Sequence, residues 1–176
     1  EIDQIQLAFQ SLEEQVALLG TSDRKLCLIP DHAPQYLMDE KDFFETLQPK
    51  LQHMQGMLSQ VQALRREILA SSIRAKTKTS MLDRSSRLLD SLFSMKRDWT
   101  GLISDKYQDV VGRFLALYPS DAALPKATHE IKDEIKSLQL LGKSLSITPD
   151  VFLKIRELLS QKWDELKEVE SGIRES

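Results

Sequence analysis

Apolar residues recur in the first segment at Ile2, Ile5, Phe9, Leu12, Val16 and Leu19, in alternating steps of three and four. That spacing holds every apolar side chain on one stripe of an α-helix, the seam of a coiled-coil-like bundle. Gly20 follows the last seam position, where a C′ glycine of positive φ commonly ends a helix. Residues 21–38, with Pro30, Pro34 and the apolar patch LCLIP at 26–30, read as irregular. Asp39 then reads as an N-cap, with Met38 and Phe43 stapled across it. The helix it opens runs to about residue 71 on the seam Phe44, Leu47, Leu51, Met54, Leu58, Val61, Arg65 and Ile68. Pro49 inside it is expected to kink the helix or to mark its true start.

The polar stretch SSIRAKTKTS precedes a third helix, expected to begin near Ser80 and to end at the loop YPSDAALP, 118–125. Its seam reads Leu82, Ser85, Leu89, Leu92, Lys96, Trp99, Ile103, Tyr107, Val110, Phe114 and Leu117. Two successive steps of four, from 99 to 103 to 107, form a stutter that turns the stripe towards different neighbours. A shorter fourth helix carries Ile131, Ile135, Leu138 and Leu145 and stops around Gly142–Ser146. Thr148 reads as the cap of a fifth, with Pro149 at N1, Asp150 at the positive end of the dipole, and Ile147 stapled to Phe152. Its seam is Phe152, Ile155, Leu159, Lys162, Leu166, Val169 and Ile173. Trp163 flanks that seam, which predicts a packed structural ring rather than a partner hot spot. Lys162 is expected to lay its stem along the core and keep its ammonium in water.

Composition narrows the class. Six Gly and six Pro in 176 residues leave few helix breakers, which favours an all-α chain. A net charge of −3 excludes a broadly basic nucleic-acid binder. The single Cys27 has no partner for an internal disulfide, which points to a reducing compartment, and no apolar run is long enough to span a bilayer. The chain opens at Glu1 inside a helical pattern and reads as a piece of something longer.

Two stretches share one arrangement, Met95-x3-Trp99-x2-Leu102 and Leu159-x3-Trp163-x2-Leu166. The second, with the preceding Gly142-x2-Leu145, resembles the third helix of a spectrin repeat and the ending of the helix before it. The resemblance implies tandem antiparallel three-helix bundles, with Trp99, Leu102, Trp163 and Leu166 in their cores. It implies a first unit over 1–105 and a shortened second over 106–176, joined through a shared helix, 80–118. It also implies a non-enzymatic spacer and protein-docking module of a larger cytoplasmic scaffold of the spectrin, dystrophin, plakin or nesprin groups, associated with the cytoskeleton or nuclear envelope. The alternative is a spectrin-like targeting or autoinhibitory segment of a signalling protein, such as a Rho exchange factor or a kinase-anchoring scaffold.

Catalytic parts are wanting. His32, His53 and His129 are scattered, without a second His or Cys at ligand spacing, and no phosphate-binding glycine loop or nucleophile motif occurs. Cys27, between Leu26 and Leu28, reads as a buried thiol. No cofactor or metal is expected. The partners expected are other proteins, with membrane contact at most peripheral and no nucleic acid. The most lopsided charge feature is Arg65, Arg66, Arg74, Lys76 and Lys78, continuing to Arg84 and Arg87. It is either a solvated loop or a dock for an acidic partner or anionic headgroups; it lacks the aromatics that nucleic-acid stacking needs. Leu26, Leu28 and Ile29 either fold back over a bundle end or stay exposed as a contact patch.

Overall fold

The computed structural model describes residues 2–120, 124 and 126–175, with side chains as far as residue 172. The seam position Ile173 and part of the expected 118–125 loop lie outside that description. Among the described residues there are six α-helices and no strand: α1 (Ile2–Leu18), α2 (Gln35–Met38), α3 (Lys41–Ala70), α4 (Ala75–Leu117), α5 (Thr128–Ser144) and α6 (Pro149–Glu175). They form two compact units. The first holds the residues up to Lys25 and Thr46–Trp99, and the second holds Leu26–Glu45 and the residues from Thr100 onward. The division in α4 falls between Trp99 and Thr100, at the stutter. Residues 26–45, expected in the first unit, belong instead to the second.

In the first unit the α1 seam is buried at Ile5, Phe9, Leu12 and, just beyond the helix, Leu19, with Ile2 exposed. Gly20 does not end α1 in a left-handed conformation, because no glycine has positive φ; a 3-10 turn, Leu19–Thr21, closes the helix instead. The Gly20 carbonyl accepts from Lys50 Nζ at 3.1 Å. From α3 come Leu51, Met54, Met57, Leu58, Val61 and Ile68. The α4 stripe is Met81, Ser85, Leu88 and Leu92, one place off the expected Leu82 and Leu89, and Lys96 is exposed. Arg65 donates to Ser85 Oγ and Ser86 Oγ at 3.0 Å each, a polar contact that uses the small Ser85 turned inward.

The second unit begins with an extended segment held on α3. Pro49 does not mark the start of α3, which begins at Lys41 and runs through it. A proline has no amide hydrogen, so the carbonyl four residues earlier, that of Glu45, is left without its helical donor. Leu26 N–H supplies one at 3.0 Å. The Glu45 carboxylate accepts from Leu28 N–H at 2.7 Å and Ile29 N–H at 3.1 Å, and Lys41 both donates to it at 3.1 Å and reaches the Ile29 carbonyl. Asp39 is therefore not the N-cap of a helix. It closes α2, accepts from Gln35 Nε2 at 2.6 Å, and faces Arg113 at 3.6 Å.

The rest of the second core comes from Ile103, Tyr107, Val110, Val111, Phe114 and Tyr118 of α4 and the residue after it, with Ile131, Ile135, Leu138 and Leu141 of α5 and Ile155, Leu159 and Leu166 of α6. Thr148 holds the N-cap place of α6, its carbonyl accepting from Phe152 N–H at 2.9 Å, with Pro149 first in the helix. Leu117 is exposed because the stripe passes through Phe114 to Tyr118.

Glycines in these helices divide by sign. A Cβ on Gly112 would meet nothing within 4 Å, so Gly112→Ala gains helix propensity and is expected to stabilise by about 0.5–1 kcal/mol. A Cβ on Gly142 would lie 2.5 Å from Tyr107 Oη and 2.9 Å from Cζ. The Tyr107 hydroxyl donates to the Leu138 carbonyl at 2.8 Å, and its ring is buried. Overpacking outweighs propensity there, and Gly142→Ala is expected to lose about 2 kcal/mol. Denaturant midpoints of the two variants, moving in opposite directions, check both.

Candidate functional site

The basic run is dispersed by the fold. SSIRAKTKTS holds no Gly or Pro, so α4 starts at Ala75, and Lys76 and Lys78 are helical rather than in a loop. Lys78 Nζ donates to the carbonyls of Leu69 at 3.0 Å and Ser71 at 3.2 Å, which answers the open C-terminus of α3. Arg65 is turned to Ser85 and Ser86. Arg84 pairs with Glu13, holding that carboxyl below the usual carboxylate range, and stands 5.4 Å over the Phe9 ring. Arg66, Arg74, Lys76 and Arg87 remain as exposed cations.

The LCLIP patch folds back as an extended strip. Alternation along it half-buries Leu26 and Leu28 and exposes Cys27, while Ile29 is buried. Cys27 is thus an exposed free thiol, not a buried one. Leu102 is not a core residue: it is 51% exposed, because the α4 stripe beyond the stutter runs through Ile103. Trp99 and Trp163 are half-buried, and Leu166 is buried. Lys162 departs furthest from expectation. It is buried, with its ammonium donating to the Tyr118 carbonyl and to Glu165 Oε2 at 3.3 Å.

Two features sit in the second unit that sequence reading missed. The first is a buried carboxylate. Glu134 of α5 accepts from Tyr36 Oη and from Tyr118 Oη, each at 2.7 Å, with Lys126 Nζ 3.7 Å away. Tyr36 and Tyr118 flank Phe114, at ring separations of 6.2 Å and 5.4 Å. Burial, and then Glu134 itself, push both phenols well above the usual tyrosine range. Grooves of about 480 and 580 Å³ open on either side of Pro34, Lys126 and Glu134. The first of them sets one cation, Lys126, against Glu130, Asp133 and Glu134. Its charge is mixed, and its central carboxylate is already bonded.

The second feature is a basic groove between α5 and α6. Lys132, Lys136, Gln139 and Lys143 follow one another in steps of four, three and four, so they share one stripe of α5. Lys132 Nζ lies 4.9 Å and Lys136 Nζ 5.7 Å from the Trp163 ring centre, so the half-exposed indole face is covered by cations. Glu170 accepts from Lys132 at 2.8 Å and from Thr128 at 2.8 Å. Farther along, a cavity of about 350 Å³ is lined by Tyr107, Phe152 and Leu159, with Lys143, Arg156 and Gln139 around them. Lys136, Lys143 and Arg156 have no carboxylate partner among the described residues. The Tyr107 wall is set in place by its bond to Leu138 and its close approach to Gly142, and burial pushes its phenol up to about 12.

An apolar pocket bordered by unpaired cations can seat a hydrophobic side chain beside a carboxylate. Among the described residues no three His, Cys, Asp or Glu gather to hold a metal ion, and no helix is long and apolar enough to cross a membrane. Compared with family models, curated proteins and solved structures, the chain matches none.

Proposed function

We propose that the chain is a non-enzymatic spacer and protein-docking segment of a larger scaffold, built as two tandem spectrin-like bundles. The observation that carries the docking part is the α5–α6 groove, where Lys143 and Arg156 stand unpaired beside an aromatic pocket. The tandem part is supported by the make-up of the units: α1, most of α3 and the first part of α4 serve one, and the rest of α4 with α5 and α6 serves the other. Trp163 and Leu166 fit the repeat-like pattern, whereas the exposed Leu102 weakens it in α4. On this reading long helices set distance and surface groups choose the partner. The alternative, a targeting or restraining segment of a signalling protein, uses the same surfaces on a catalytic neighbour.

Affinity capture with the intact chain, followed by identification of what it retains, separates these readings. Enrichment of cytoskeletal or envelope-linked proteins is the expected result. Retention of one catalytic domain alone would favour the signalling alternative, and turnover in hydrolase or transferase assays would overturn both.

A further inference from the structure

We infer that the α5–α6 groove is a docking site for an acidic peptide segment of a partner protein, one apolar side chain entering the pocket while flanking carboxylates meet Lys143 and Arg156. The inference deepens the docking reading above and rests on it. Three observations select this occupant. The pocket is walled by Tyr107, Phe152 and Leu159, which suits a hydrocarbon or aromatic side chain, with Gln139, Lys143 and Arg156 in the same lining to meet carboxylates. Its volume, about 350 Å³, is at the small end for ligand sites and matches one or two side chains rather than a helix face.

Charge is the third observation. Helical winding segregates the signs on α5: Lys132, Lys136 and Lys143 share the groove side, while Glu130, Asp133 and Glu134 line the separate groove that also holds Lys126. Lys132 already has Glu170, but Lys136, Lys143 and Arg156 keep their charge for an incoming group. The seated apolar residue sets register, and the cations on either side set sign.

The test measures fluorescence anisotropy of a labelled short peptide of Glu residues interrupted by Phe, titrated with the intact chain at low salt. The comparison variants are K143E, R156E and the double R74E/K76E, all at exposed side chains, with circular dichroism to show that each stays helical. K143E and R156E are each expected to weaken binding about tenfold, and R74E/K76E to leave it unchanged. Replacing the Phe residues of the peptide with Ser is expected to abolish binding. Equal affinity for K143E, R156E and the native chain would overturn the inference. So would equal binding of the Ser peptide, or co-sedimentation with phosphatidylserine vesicles that K143E and R156E abolish while the peptide goes unbound. These results concern purified components, so they can fail while affinity capture still supports a scaffold, and the reverse.

Discussion

Glu45→Ala is expected to destabilise the second unit by about 3 kcal/mol, because one carboxylate organises the extended segment there. Its loss strips acceptors from Leu28 N–H and Ile29 N–H, bonded at 2.7 and 3.1 Å, and from the Lys41 ammonium at 3.1 Å. Charge-assisted bonds are worth about 1.5–3 kcal/mol each, and partial solvent access at Leu28 keeps the total below their sum. Hydrogen exchange at the Leu28 and Ile29 amides should rise with the fall in stability, while the Leu26 amide, bonded to the Glu45 carbonyl, is less affected.

Acid provides a second readout of Glu45. Burial alone would raise its pKa, but the Ile29 and Leu28 amides and then Lys41 hold it below the usual value of 4.5. A carboxyl with a depressed folded pKa contributes stability that is complete above 4.5 and is lost as pH falls through the folded value. Native stability should therefore decline on acidification below 4.5, to which Glu13, held down by Arg84, also contributes. Glu45→Gln should flatten that decline.

Glu134→Ala carries the other large effect, also about 3 kcal/mol. Two buried phenol hydroxyls lose their common acceptor, and the packing of Tyr36 and Tyr118 about Phe114 loses its anchor on α5. The three tyrosines of the chain are all buried, and two of them, Tyr36 and Tyr118, bond Glu134, so most of the tyrosinate signal reports on this site. A phenol whose folded pKa is raised contributes stability that is complete below 10.0 and is lost as pH climbs through the folded value. The native chain should show no tyrosinate absorbance as pH passes 10.0, with the band arriving only above it. In Glu134→Ala, without the neighbouring negative charge and with the site loosened, the band should appear at lower pH.

What the sequence made legible was local. The α1 seam from Ile5 through Leu12 to Leu19, and the start of α6 at Thr148 and Pro149, are read from spacing and cap chemistry within a few residues, and the structure places them as expected. What escaped depends on partners distant in sequence. Glu45 and Glu134 look like ordinary surface acids in a helix, and only bonds to residues 16 and 98 positions away bring them inside. Lys162 interrupts an apolar seam, where a cation is expected to reach water, yet the carbonyl of Tyr118 receives its ammonium within the core. The basic run stands out because its cations crowd into one stretch of sequence, but Arg65, Lys78 and Arg84 are used inside the first unit. The groove cations stayed hidden because IKDEIK alternates their sign along the chain, and only helical winding sorts Lys132 and Lys136 away from Asp133 and Glu134.

Mapping amide chemical-shift changes as the Glu–Phe peptide is added to the intact chain tests most directly the claim that this protein works by binding through the α5–α6 groove. Changes are expected to concentrate at Gln139, Lys143, Phe152 and Arg156, with the indole signal of Trp163 moving alongside them. Changes gathered instead at Arg66, Arg74 and Lys76, with residues 139–156 silent, would contradict it.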